Sequence, residues 1–226
     1  MLPQLRQQLI VSCQAPPDSP LHAPAMIAAL AQVAVNHGAA GLRLDSPTHI
    51  AAVRQVLPAT PIIGLWKQQL PGSEVYITPR FSDAAAVAAA GADIIALDAT
   101  LRPRPEGDTA ADLIRRLHQD LGTLVMADVD TWESAQAAAA AGADLIGTTL
   151  YGYTAATQHL QPPGWELLAQ LVSGLTVPAI CEGGISTPAM ARQALEQGAY
   201  AVVVGTAITG VDRLAQAFQQ AVAAAV

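Results

Sequence analysis

Lysine is almost absent from this chain: Lys67 stands alone among 226 residues, and the other ten basic residues are arginine. Charge as a whole is scarce, at 13% of residues against roughly 25% in an average globular protein. So little charge excludes a disordered chain or a charge-laced coiled coil. Aromatics reach only 4% while hydrophobic residues make up 52%, so the core must be aliphatic and rich in alanine. Two cysteines, Cys13 and Cys181, are too few and too far apart for a disulfide framework or a metal-ligand cluster. Reduced thiols in a cytoplasmic protein are the expectation. No run approaches the ~20 apolar residues of a membrane span, and the opening MLPQLRQQLI lacks the apolar stretch of a secretion signal. A net charge of −7 and a pI near 5.0 argue against nucleic-acid or anionic-membrane partners, while leaving room for a local basic pocket that takes a small anion. Also missing are a Walker loop, a Ser/His/Asp pattern and metal-ligand spacing. His22, His37, His49, His118 and His159 read as surface or capping residues, and no metal is expected.

What is present is a repeated phrase. HGAAGLRLD begins at His37, AGADIIALDA at Ala90, AGADLIGTTL at Ala141 and QGAYAVVVG at Gln197. In each, an alanine-rich stretch ends at a glycine and a short apolar run follows. Glycine suits the position just past a helix end because it takes the left-handed conformation without steric cost. The apolar runs show little polar alternation, as strands buried on both faces do. Gly38, Gly91, Gly142 and Gly198 recur at intervals of 53, 51 and 56 residues, room for two strand–helix units each. The intervening strands are LIVSCQ at 9–14, PIIGLWK at 61–67, LVMADVD at 124–130 and VPAICEGG at 177–184. Eight strands alternating with helices, without a linker, predict one (β/α)8 barrel over 1–226, a little short of the ~250 residues typical of that fold. An open doubly wound sheet is the runner-up, but no GxGxxG follows the first strand.

Such barrels carry their chemistry at the C-terminal ends of the strands. Those ends hold Gln14, Arg43 with Asp45, Lys67, Asp98, Asp128 with Asp130, Thr148 with Thr149, Glu182 and the glycine at 205. Taken singly, Asp45, Asp98, Asp130 or Thr148 could equally cap helices or bridge loops. Lys67 differs: a surface role could be filled by arginine, but a role that requires losing the proton could not. It is the predicted catalytic residue, with Glu182 as an acid facing the barrel axis. The loops after strands seven and eight often bind phosphate through backbone N–H groups. Here they read EGGIST and VGTAIT, so Gly183, Gly184, Gly205, Thr206 and Ala207 are the phosphate candidates. A sole lysine serves a Schiff-base aldolase or lyase as well as a proton-transfer enzyme. A thiamine-phosphate synthase-like transferase and a non-catalytic phosphosugar sensor are further readings. The first lacks an obvious acidic pair for magnesium, and the second sits poorly with Lys67 and Glu182 together.

LIVSCQA, GLRLDSP, PIIGLWK, SEVYITP, IIALDATLRPRP, MADVDT, GTTLYGYT, CEGGIST and VVVGTAIT, in that order, resemble the successive blocks of the N-acylglucosamine-6-phosphate 2-epimerase family. The likeness spans nearly the whole chain, and SEVYITP and DATLRPRP are more specific than the barrel itself. It implies a ribulose-phosphate-binding type of barrel and interconversion of N-acetylmannosamine 6-phosphate and N-acetylglucosamine 6-phosphate in sialic acid catabolism. It implies no cofactor, and a homodimer. By position, Lys67 matches the family's catalytic lysine and Glu182 its glutamate. Gln14, Arg43 and Asp128 match residues that hold the sugar or its N-acyl group, and the glycine loops match the phosphate cradle. Four positions depart from the family pattern. Gln68 and Gln69 stand where charged residues are usual, Gly184 where a basic residue is common, and Gly210 where an arginine contacts phosphate. Arg80 and Arg213 are the candidates to compensate. The apolar stripe in VDRLAQAFQQAV points to a partner helix or to core packing.

Overall fold

The computed structural model describes residues 1–224. Eight parallel strands close in sequence order into a barrel: β1 Leu9–Cys13, β2 Gly41–Asp45, β3 Ile62–Leu65, β4 Ile94–Asp98, β5 Leu124–Asp128, β6 Leu145–Gly147, β7 Ala179–Glu182 and β8 Ala201–Val204. The helices are α1 Leu2–Leu5, α2 Pro24–Asn36, α3 Pro47–Val56, α4 Phe81–Ala89, α5 Ala110–Arg116, α6 Trp132–Ala140, α7 Trp165–Gly174, α8 Pro188–Glu196, α9 Thr206–Thr209 and α10 Val211–Ala223. The expected (β/α)8 barrel is therefore the fold. Gly38, Gly91, Gly142 and Gly198 all have φ between +93° and +102°, the helix-ending conformation read from the repeat.

The strands are shorter than the apolar runs suggest. Pro61 and Pro178 have no N–H to give a ladder, so β3 and β7 start one residue later. At the other end, Gln14, Lys67 and Asp130 lie beyond the ladder.

Alternation along each strand decides what reaches that mouth. Ile10, Ile63, Leu65, Ile94, Ala96, Met126, Leu145, Ile180, Ala201 and Val203 fill the barrel interior, and Leu5 of α1 belongs to the same cluster. Leu42, Leu44, Ile62, Ile95, Val125 and Ile146 point outward into the alanine-lined layer under the helices. Full burial of one such aliphatic side chain contributes about 1.5–3 kcal/mol, so this parity is strongly enforced. Continued by two residues from the interior set, the same parity delivers Asp98, Asp128 and Glu182 to the top. Lys67 follows Leu65 in the same way. Thr109, Thr131 and Thr187 each accept a backbone N–H at the start of α5, α6 and α8, which fixes the helices that follow these strands.

Two features lie outside the regular repeat. SEVYITP folds back on the segment after β3: Lys67 and Ile77 form an antiparallel bridge, and the N–H of Gln68 donates to Tyr76 O at 2.9 Å. The N–H of Asp98 in turn donates to Ile77 O, so this arm wedges between β3 and β4. Those two strands pair directly at only two positions. The second feature is α10, which buries none of its residues; Val211, Leu214, Phe218 and Val222 are all exposed.

Candidate active site

The centre of the mouth is an ionic cluster built on Arg43. Its guanidinium grips Asp128 with both amino groups, at 3.1 Å to Oδ1 and 2.6 Å to Oδ2. Its Nε lies 3.1 Å from Glu182 Oε1. Arg43 and Asp128 are buried, and the Glu182 side chain is 12% exposed. Burial works against the charge on Arg43, but Asp128 and Glu182 more than offset it and hold its pKa above the ordinary value. Arg43 therefore lies beneath the mouth with its forks committed to carboxylates, holding them in register. It is not free to reach a sugar without giving up one of these bonds.

Glu182 lies between opposing influences. Burial raises its pKa, Arg43 lowers it, and the neighbouring Asp128 raises it again; the hydrogen bond from Thr149 and the charge of Lys67 lower it. The net result is about 7. A carboxyl poised there gives and takes a proton near neutrality, which suits general acid–base work. Thr149 Oγ1 touches both acids, at 2.7 Å from Asp128 Oδ1 and 3.2 Å from Glu182 Oε2. Gly147 makes this possible, because a Cβ there would lie 2.5 Å from Met126 Cε and 2.9 Å from Thr149 Oγ1.

Lys67 stands across the mouth. Its ammonium donates to Gln14 Oε1 at 2.5 Å, and Gln14 Nε2 donates to Ser12 Oγ at 3.0 Å. As a residue Lys67 is exposed, yet the protein gathered around its ammonium lowers the pKa from 10.5. Asp45 and Glu182 oppose that shift; Arg43 and Arg213 reinforce it. The exposure limits the effect to a bias toward the neutral amine. Trp66 supplies none of this crowding: strand alternation turns it outward against the helix layer.

The backbone of Lys67 is fixed from both sides. Its N–H donates to Asp45 Oδ1 at 2.9 Å. Next to Asp45, Ser46 has φ +79°, and its N–H donates to Leu65 O. On the other side Thr78, with φ +46°, exchanges bonds with Trp66 and donates its hydroxyl to Ala96 O at 2.7 Å. A non-glycine residue held at positive φ costs on the order of 1–3 kcal/mol. Both costs fall on the residues that hold the lysine segment.

The glycine loops close the other half of the mouth. Gly183 and Gly184 have φ +100° and +71°, and a Cβ on Gly184 would lie 2.6 Å from Pro162 Cβ. A basic side chain at 184 is thus sterically barred here. Gly210 is similarly confined, since a Cβ would lie 2.7 Å from both Thr206 Cγ2 and Thr206 O. Among the described residues, the N–H groups of Gly183, Gly184, Thr206 and Ala207 meet no backbone acceptor. Gly205 packs against Ser12, and α9 begins directly after it. Of the two arginines that could compensate, Arg80 is spent on Asp83 at 2.8 and 3.0 Å, whereas Arg213 comes near enough to Lys67 to act on its ammonium.

The remaining strand-end residues do structural work. Asp98 binds Thr100 and Arg102, and Asp130 accepts from Ser134 and Thr154. Thr148 trades bonds with the backbone of Glu182, 2.8 Å to its carbonyl and 3.1 Å from its N–H. His49 corrects the surface reading: it is buried, with ring nitrogens 2.8 Å from Asp45 O and 2.7 Å from His22 O. Sequence reading set Thr149 at a strand end without a role, and did not single out Tyr76, which lies near enough to Arg43 and Asp128 to feel their charges. For Thr149 the signal was there, since it continues the inward parity of Leu145 and Gly147.

Fold and mouth together define a (β/α)8 barrel of the ribulose-phosphate-binding type, with a lysine and two carboxylates gathered at its C-terminal rim. The particular family follows from comparison. Residues 27–224 match the family model NanE, "Putative N-acetylmannosamine-6-phosphate epimerase". A Synechococcus elongatus protein named "Putative N-acetylmannosamine-6-phosphate 2-epimerase" is 62% identical over 218 residues, 96% of this chain and 94% of its own length. A protein of the same name from Thermosynechococcus vestitus is 61% identical over 221 residues, 98% and 96% of the two chains. The solved structure of the N-acetylmannosamine-6-phosphate 2-epimerase from Clostridium perfringens superposes with a TM-score of 0.92 at 39% identity, covering 97% of this chain and 95% of that one. The chain belongs to the NanE epimerase family.

Proposed function

We propose that this enzyme interconverts N-acetylmannosamine 6-phosphate and N-acetylglucosamine 6-phosphate by removing and returning the proton at C2. The observation that carries the reading is the pair Lys67 and Glu182, two titratable groups at one mouth with pKa values displaced toward neutrality from opposite sides. Once the sugar ring opens, C2 lies next to an aldehyde and its proton becomes acidic. Neutral Lys67 takes that proton, and protonated Glu182 delivers one to the resulting enolate on the other face. In the reverse direction the carboxylate of Glu182 takes the proton and the ammonium of Lys67 returns one. Both starting states hold one proton on the pair, so one pH optimum serves both directions. General acid–base help of this kind contributes about 10²–10⁴-fold.

Gln14 and Arg43 with Asp128 form the polar floor on which the open-chain sugar and its N-acyl group rest. A displaced Arg43–carboxylate bond would place a donor at the developing oxyanion, commonly the largest catalytic effect. The N–H groups of Gly183, Gly184, Gly205, Thr206 and Ala207 hold the phosphate, with Arg213 supplying the charge that Gly184 and Gly210 do not. Binding the phosphate away from C2 orients the reacting carbon. No cofactor enters these steps. The exposed stripe Val211, Leu214, Phe218 and Val222 supports a homodimer in which a second copy covers α10, since such patches mark interfaces. Buried, unpaired Cys13 and Cys181 support a reducing, cytoplasmic setting. The test is proton NMR of N-acetylmannosamine 6-phosphate in D₂O, where the C2 proton signal should vanish as the gluco epimer grows.

A further inference from the structure

Glu182 presents its two oxygens to different partners. Oε1 faces Arg43 Nε at 3.1 Å and Oε2 faces Thr149 Oγ1 at 3.2 Å. An oxygen lying against a guanidinium charge is the poorer seat for a proton, so the proton of Glu182 rides on Oε2. Thr149 carries one hydroxyl hydrogen and two lone pairs. Its shorter contact is with Asp128 Oδ1, 2.7 Å away, on a carboxylate that both forks of Arg43 already hold. With the hydrogen on that line, the lone pairs of Oγ1 point to Oε2 and accept from protonated Glu182. When Glu182 ionises, a turn about the Cβ–Oγ1 bond brings the hydrogen to Oε2 instead. Asp128 loses nothing essential, because Arg43 still bonds both of its oxygens.

We propose that Thr149 is a positioning residue of the epimerisation, whose hydroxyl holds Glu182 in both protonation states, accepting the Oε2 proton before transfer and donating to Oε2 once that proton has left. In the delivery step the Oε2–H turns from Thr149 to C2, the Oε2–H bond breaks, and the enolate electron pair forms the new C2–H bond. Glu182 is left as a carboxylate, and Thr149 turns to donate to it. The site thereby passes between its two charge states by rotation of the Glu182 and Thr149 hydroxyls alone. The backbone holds Thr149 in place for this: Thr148 is bonded to both backbone groups of Glu182, and Gly147 leaves the space that Thr149 and Asp128 share.

The proposal rests on the C2 proton-transfer reading above, and its test separates the two. Thr149→Val keeps the shape and removes the hydroxyl; Thr149→Ser keeps the hydroxyl. In D₂O, deuterium entry at C2 of the starting sugar and formation of the epimer are followed together, from each epimer in turn. Starting from the epimer that Lys67 deprotonates, Thr149→Val should keep washing deuterium into C2 while epimer formation falls about 10- to 100-fold, the loss expected for a hydrogen bond to a charged group. Starting from the other epimer, exchange and epimerisation should fall together. The acidic limb of the Thr149→Val pH profile should move, and Thr149→Ser should restore both the ratio and the limb. An unchanged exchange-to-epimer ratio and pH profile in Thr149→Val overturns the role of Thr149. If Thr149→Val does not fold, Thr149→Ala is read against Thr149→Ser by the same ratio. Wild-type enzyme that moves no C2 proton overturns the underlying reading instead.

Discussion

Arg43 and Asp128 meet fork to fork beneath the barrel mouth, 3.1 and 2.6 Å apart, and both are sealed from solvent. Two charges so placed are costly to bury and costlier to separate, because removing one leaves the other uncompensated. Arg43→Ala, which leaves Asp128 without its cation, should therefore lower folding stability by about 3–5 kcal/mol, as typical of a broken buried pair. Urea unfolding monitored by circular dichroism measures this. A loss below about 1 kcal/mol, the range of exposed pairs, would remove Arg43–Asp128 from its place as the floor of the site.

The pair Lys67 and Glu182 predicts a bell-shaped dependence of kcat/KM on pH. The active form carries one proton on the two groups. A second proton arrives on Glu182 as the pH falls through about 7, and the last leaves Lys67 below its ordinary 10.5. Activity should rise through about 7 and decline before 10.5, with the same limbs from either epimer. Initial-rate measurements in both directions check this, and profiles that differ between directions would contradict a shared proton.

Glu182 also ties stability to pH. Its pKa is raised from 4.5 to about 7 on folding. Below 4.5 the folded and unfolded states hold the same proton. As the pH rises toward 7 the unfolded chain releases it first, so stability is lost across that window. Glu182→Gln keeps a neutral side chain throughout. Its stability relative to wild type should climb from pH 4.5 to about 7 and then level, as read from paired urea titrations. A difference that stays flat with pH would show that Glu182 ionises normally.

Most of the barrel is legible in the sequence because two signals coincide. Helix-ending glycines at regular intervals give the repeat, and unbroken apolar runs between them give strands buried on both faces. Lys67 and Glu182 are legible for a chemical reason: a lone lysine among arginines, and an acid at the start of a glycine loop. The arm formed by SEVYITP is not legible as structure, since it makes one short antiparallel pairing and carries no period. The roles of Thr149 and the buried His49 escape for a different reason. Their importance lies in partners brought from other strands, Asp128 and Glu182 for one and the backbone of Asp45 and His22 for the other. Trp66 precedes Lys67 in the chain but adds no desolvation there, because strand parity turns it outward.

The stripe on α10 predicts association. Phe218 is 74% exposed and Val222 68%, on a helix that buries none of its residues. Phe218→Asp with Val222→Asp should shift the protein from dimer to monomer in sedimentation equilibrium, without loss of the barrel's circular dichroism. A wild-type protein that sediments as a monomer at micromolar concentration would leave the homodimer unsupported.

The most direct test of the central claim follows the C2 proton in one tube. Wild-type enzyme and Lys67→Met are each incubated with N-acetylmannosamine 6-phosphate in D₂O and followed by proton NMR. Wild-type enzyme should erase the C2 proton signal as N-acetylglucosamine 6-phosphate accumulates, while Lys67→Met, folded as judged by its circular dichroism, should do neither. Near-normal exchange and turnover in Lys67→Met would contradict the assignment of Lys67 as the base.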